Sequence, residues 1–244
     1  MAQTYSTLIA KTRMFLDEVS EKSWSETEVE REVNYGYHDV VTSVMTTYED
    51  FYMTTPIFVG IINAQQEYGV TDGLPNNVFK LRRVEINYNT NTNPLVYVKG
   101  APIRDISAIR DSIMTSGTGS ATLRPLYYVY GFSANFHIGI IPVPMQDAPN
   151  GIKVWYIPTI ADLVNPTDVP NIPYPERYST IIPLIAAGNL LRKGQQEEVV
   201  AAKYLEDADK MKQDLMQELE DRISDDGRVI LDSIGFDTDF TGGL

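Results

Sequence analysis

Two histidines, fifteen tyrosines and many closely spaced carboxylates are the side chains from which this sequence could build chemistry. Cysteine is absent. That removes thiol nucleophiles, thiolate metal sites, iron–sulfur clusters and disulfides together, and it fits maturation in a reducing cytoplasm. His38 and His137 stand alone, at no spacing typical of zinc sites or catalytic triads. His38 reads as a helix-surface or partly packed residue. His137 alternates with Phe136 and Ile138, which puts it on the more polar face of a strand. Gly117-Thr118-Gly119-Ser120 lacks both the Lys-Ser/Thr of a P-loop and the third glycine of a dinucleotide fingerprint, so it reads as a plain loop.

The carboxylates include Asp207 with Asp209 and Glu218 with Asp221, on a segment that is acidic throughout, and such runs are ordinarily solvated helix faces. A glycosidase pair stays open as an alternative, because its two acids can come from anywhere in a chain. Tyr127-Tyr128-Val129-Tyr130 fits either a stacking platform or a packed aromatic strand. A net charge of -13 repels phosphate backbones and favours packing. We expect no catalytic residue, no cofactor and no metal.

These residues must be held by elements that the hydrophobic pattern delineates. Leu8, Phe15, Leu16 and Val19 fall at helical spacing. Ser25-Glu26-Thr27-Glu28 is a capping box, with Trp24 and Val29 placed to staple the helix start. It predicts a helix from Glu26 to about Asp50, burying Val29, Val33, Tyr37, Val40, Val41, Val44 and Tyr48. From Pro56 the pattern turns to strands: 57–59, 79–81, 84–88, 95–98, 126–130, 135–141 and 152–157, with Asn-, Asp-, Gly- and Pro-rich turns between them. Ile103, Ile106, Ile109 and Ile113 predict one short helix within this region.

A connector from Pro158 to Pro175 contains five prolines and is expected to run extended over the surface. A helix follows from Glu176 to about Arg192, with Pro183 either kinking it or marking its true start. A longer one extends from Gln195 to about Ser224, ending before Asp225-Asp226-Gly227. The remaining tail is apolar for its length, so it must dock somewhere or remain sticky. The economical arrangement is α+β: an antiparallel-type helical bundle, residues 1–55 and 173–226, made of two N-terminal and two C-terminal helices. A β-sandwich or barrel-like unit is inserted over 56–172, and a C-terminal arm spans 227–244. The N-terminus has no signal-peptide core and no stretch approaches membrane-span length, so neither export nor insertion is expected.

Trp24-Ser25 opening the second helix, Gln66-Glu67-Tyr68 before Leu74-Pro75, Leu81-Arg82-Arg83-Val84 and Ile140-Ile141-Pro142-Val143-Pro144 form a familiar series. Val154-Trp155-Tyr156-Ile157-Pro158, Asp168-Val169-Pro170, Ile172-Pro173 and the closing acidic helix extend it over nearly the whole chain. The series resembles the head-to-tail adaptor, or connector, proteins of tailed bacteriophages. That resemblance implies a structural virion protein at the neck, made in the host cytoplasm, in a homo-oligomeric ring of about twelve copies. Its implied partners are the portal protein and the tail or nozzle proteins, with genomic DNA passing through without specific binding during ejection. A C-terminal arm would bind the portal, and Leu231, Ile234, Phe236 and Phe240 are the candidate anchors. Another neck or tail-completion protein, or a virion-associated cell-wall glycosidase, are the alternatives.

Overall fold

A computed structural model of the chain describes residues 3–18, 23–88, 97–102, 125–194 and 197–233, with Ala101 and residues 223–233 given by backbone course alone. The chain divides into two compact units, one made of Met1–Phe51 with Ile160–Leu244 and the other of Tyr52–Thr159.

The first unit is helical. Helix α1 spans Tyr5–Phe15, α2 Glu26–Thr47, α3 Pro175–Tyr178, α4 Ile181–Lys193 and α5 Glu198–Ser233. The capping box forms: the Glu28 N–H donates to Ser25 Oγ at 3.4 Å and the Ser25 N–H donates to Glu28 Oε2 at 3.3 Å. All of the expected α2 stripe is buried except Tyr48, which is half-buried. Pro183 is the third residue of α4, where a helix needs no backbone N–H, so it marks the start rather than a kink.

Ten residues of α4 are buried, which makes it the axis of the unit, packed by α1, α2 and α5. Two glycines let the helices approach. A Cβ on Gly36 would stand 2.9 Å from the Ile182 carbonyl oxygen, and one on Gly188 would stand 2.7 Å from Leu205 Cγ. Ala201, Ala208, Leu215 and Leu219 form the buried seam of α5. That helix continues through Asp225-Asp226-Gly227, where the sequence predicts a break.

The proline-rich connector runs largely over the surface, as expected, and is pinned at a few buried residues. Leu163 and Ile172 are buried, and the Asn34 side chain grips Leu163, donating to its carbonyl at 3.1 Å and accepting from its N–H at 2.8 Å. The start of α1 has no side-chain cap. Instead the Tyr5 and Ser6 N–H groups donate to the carbonyls of Asp168 and Pro166, at 2.7 and 3.1 Å, which satisfies donors that a helix start leaves open.

The second unit contains β1 (Ile57–Ile61), β2 (Glu67–Gly69), β3 (Val78–Ile86), β4 (Val98–Lys99), β5 (Ala101–Pro102), β6 (Leu126–Tyr130), β7 (His137–Ile141) and β8 (Ala148–Pro158). They form two four-stranded sheets, β1-β8-β3-β4 and β2-β7-β6-β5. Every pairing is antiparallel except β5 with β6. Val59, Ile61, Val84, Ile86, Ile152 and Val154 from one sheet share a single core with Tyr68, Tyr127, Ile138 and Ile140 from the other. The unit is therefore a sandwich and not a closed barrel.

The two strands expected at 79–81 and 84–88 are one strand, β3, with a register shift between Leu81 and Arg83. The Asn150-Gly151 pair, read as a turn, lies inside β8: Asn150 takes a left-handed φ of 59° at an irregularity between the Val59–Ile152 and Ile61–Ala148 pairs. The expected helix over Ile103–Ile113, the loop at Gly117-Thr118-Gly119-Ser120 and the first two residues of the strand expected at 95–98 lie outside the described residues. Among the described residues no helix is long and apolar enough to cross a membrane.

Candidate docking surfaces

Of the four anchors expected in the arm, Leu231 falls within the backbone course of α5, while Ile234, Phe236 and Phe240 lie outside the described residues. His38 is on the exposed side of α2, its Nε2 2.6 Å from Asp162 Oδ1. The acids of α5 are used in pairing. Glu218 Oε2 accepts from Arg177 Nη1 at 2.8 Å and from the Tyr178 hydroxyl at 2.7 Å, and Asp209 lies 3.4 Å from Lys212 Nζ. Glu28, Glu67, Asp168 and Glu206 all have carboxyl groups held below the usual range by hydrogen bonds they accept. That direction favours the ionised form, the opposite of what a general acid needs. Among the described residues no three potential ligands gather as a metal site.

The tyrosine strand β6 packs its rings against cross-strand neighbours. The Tyr128 and Tyr130 hydroxyls donate to Glu67 Oε1 and Oε2, each at 2.8 Å. Hydrogen bonds from Tyr130 and then Tyr128 depress the Glu67 carboxyl, with the His137 charge adding a smaller push. The Tyr130 ring lies 4.9 Å from the His137 ring and 3° from parallel to it, and stacks at 6.2 Å on Tyr128. This ladder needs Gly139, where a Cβ would stand 2.0 Å from the Tyr128 ring. Tyr130 remains 42% exposed and Phe132, just beyond the strand, 83%. Glu67 was not singled out by sequence because its partners are distant in the chain; its period-two neighbours carry no signal of them.

The outer face of the other sheet is cationic and aromatic. One row crosses all four strands: Phe58 pairs with Lys153, Lys153 with Glu85, and Glu85 with Lys99. Lys153 Nζ lies 3.3 Å from Glu85 Oε2 and 5.0, 5.5 and 6.0 Å from the ring centres of Trp155, Tyr97 and Phe58. Arg83 pairs with the same Glu85. Glu85, largely buried, thereby fixes two cations in place. The alternation Lys153-Val154-Trp155 was the available sign of this face.

Charge divides sharply between the units. Residues 52–159 carry eight basic and six acidic side chains, while the rest of the chain carries twelve basic and twenty-seven acidic ones. The whole negative balance thus belongs to the helical unit, and the β unit is slightly positive. On the helical unit a groove of about 590 Å³ lies among α1, α2 and the connector. Ile9, Met14 and Val164 give it an apolar floor, and Asp17, Glu26 and Glu30 an acidic rim.

The described surfaces thus carry exposed aromatic rings, fixed charges and a groove. No curated protein matches the sequence. A family model does, over residues 3–230, which takes in both units, and the chain accordingly belongs to the SU10 adaptor protein family.

Proposed function

We propose that the protein is the subunit of a phage head-to-tail adaptor ring, seated between the portal and the tail, with a role that is structural rather than catalytic. The observation that carries this reading is a family match that spans nearly the whole chain, so the shared property belongs to the complete helical-plus-β architecture and not to a grafted module. A closed ring of about twelve copies needs two different, complementary surfaces on each subunit, and a strongly anionic unit joined to a weakly cationic one supplies them. A lumen rich in carboxylates gains no counterion-release affinity for phosphate, so genomic DNA slides through during ejection without specific binding.

Portal contact is assigned to the C-terminal arm through Leu231, Ile234, Phe236 and Phe240, of which Leu231 lies on α5, the longest of the described elements. Deleting residues 228–244 is expected to leave the helical circular-dichroism signal largely intact while abolishing co-sedimentation with the cognate portal. Global unfolding of the truncated chain would show that the tail is core; unchanged co-sedimentation would move the portal contact elsewhere.

A further inference from the structure

Two loops emerge side by side at one end of the sandwich, because Ile61, the last residue of β1, pairs with Ala148, the first of β8. One leaves β1 at Ile62 and the other enters β8 through residues 142–147. The connections to the helical unit leave from the other end of the same strand pair, beyond Ile57 and Pro158.

Hydrogen bonds tie the two loops together. The Ala64 N–H donates to the Pro144 carbonyl at 2.9 Å, and the Asn63 N–H donates to Asp147 Oδ1 at 2.7 Å. From the core side, the hydroxyl of the buried Tyr68 accepts from the Ile62 N–H at 3.2 Å and donates to the Gln65 carbonyl at 2.9 Å. The Tyr88 hydroxyl donates to the Pro142 carbonyl at 2.8 Å, and the Gln146 side chain donates to the Tyr88 carbonyl at 2.7 Å. Ala64 is held at a left-handed φ of 63°, which a residue other than glycine keeps only where its surroundings enforce it.

This clamp presents apolar side chains. Ile62, Val143 and Met145 are exposed by 50, 43 and 76%, and the last two flank Pro144, which is buried. Residues 62–65 and 142–147 include a single charged side chain, Asp147, and its Oδ1 is engaged by Asn63. On a chain of net charge -13, an uncharged apolar tip fixed in advance suits a contact made by burial, because little ordering cost is left to meet on binding.

Three side chains cover far less than the roughly 800 Å² per partner that a stable contact between two subunits needs, so the tip does not by itself join neighbouring copies. Presented about twelve times around a ring, the same small contact becomes sufficient through multivalency. We infer that Ile62, Val143 and Met145 form the face on which the adaptor ring receives the tail, against an uncharged apolar surface repeated around the tail-side protein. This rests on the adaptor-ring reading and supplies the second contact that a portal-binding arm leaves open.

For the test, heads and tail proteins come from host cells infected with the same phage lacking the gene for this protein, and the purified protein is added back. Protein retained on gradient-purified heads reports portal binding, while electron microscopy counts the heads that carry tails. Val143→Ser with Met145→Gln alters exposed positions, and far-UV circular dichroism checks that the variant folds. It is expected to occupy heads as the wild type does and to lower the tailed fraction about tenfold or more. Met145→Lys is expected to lose tails as well, because it would bury an unpaired charge in the contact, whereas Met145→Leu is expected to keep them. Wild-type tail counts from the double variant would overturn the inference. A folded double variant that no longer occupies heads would also overturn it, by moving the tip to the portal or to a contact between copies. Wild-type protein that occupies heads without restoring tails refutes the tail contact alone, and wild-type protein that never occupies heads refutes the adaptor reading itself.

Discussion

The helical and β units solve the same problem, fixing a surface for partners, by different means. In the helical unit, close backbone approach at Gly36 and Gly188 and a largely buried α4 create the frame, and the surface charge over it is tied in separate ion pairs such as Arg177 with Glu218 and Lys212 with Asp39. In the β unit, the surface groups themselves are locked: Glu67 holds two tyrosines, and Glu85 holds Arg83 and Lys153. The β unit thus gathers its fixed polar groups around two carboxylates beside exposed aromatics, whereas the helical unit spreads its ion pairs over a strongly anionic surface with a groove.

The sharpest way to break this comparison is at the helical frame. Gly36→Val would drive a branched side chain against the Ile182 carbonyl and Ile185, and is expected to cost about 3 kcal/mol or more in urea unfolding. The β unit counterpart, Gly139→Ala, must displace the Tyr128 ring; a loss of about 1–3 kcal/mol is expected, with altered near-UV tyrosine dichroism. Asn34→Ala would orphan the backbone of Leu163 and free the connector, at about 1–3 kcal/mol, read as faster proteolysis after residue 160. Ser25→Ala should cost about 1 kcal/mol by removing the α2 cap, with no effect on the β unit's tyrosine signal.

The smallest effect is one of pH. Because the folded Glu67 carboxyl is held below its ordinary value, its contribution is present above the unfolded carboxyl pKa and is lost as pH falls through the folded one. Glu67→Gln should therefore flatten that part of the acid limb of stability, as Tyr128→Phe with Tyr130→Phe should. Exposure and screening keep the change small.

Local signals in the chain foretold what local physics decides. The capping box, the α2 stripe and the limits of β6 are legible, because each depends on neighbours within a turn or a strand, while Pro183 is legible only as either a kink or a start. The surface course of the connector is legible in its prolines, whereas the Asn34 grip that pins Leu163 comes from a residue far upstream and leaves no local sign. Asn150-Gly151 and Asp225-Asp226-Gly227 read as breaks, yet the first is accommodated as a bulge against β1 and the second continues α5. Pairings set by tertiary register, Glu67 with Tyr130 or Glu85 with Lys153, leave no periodic trace. The arm anchors were chosen by composition and by resemblance, and stand as part of the proposal.

The most direct test of the adaptor account is electron cryo-microscopy of the full-length protein mixed with its cognate portal. The account predicts a closed, rotationally symmetric ring of about twelve copies stacked on the portal, with an open axial channel. Portal particles that remain bare at saturating protein concentration would contradict it.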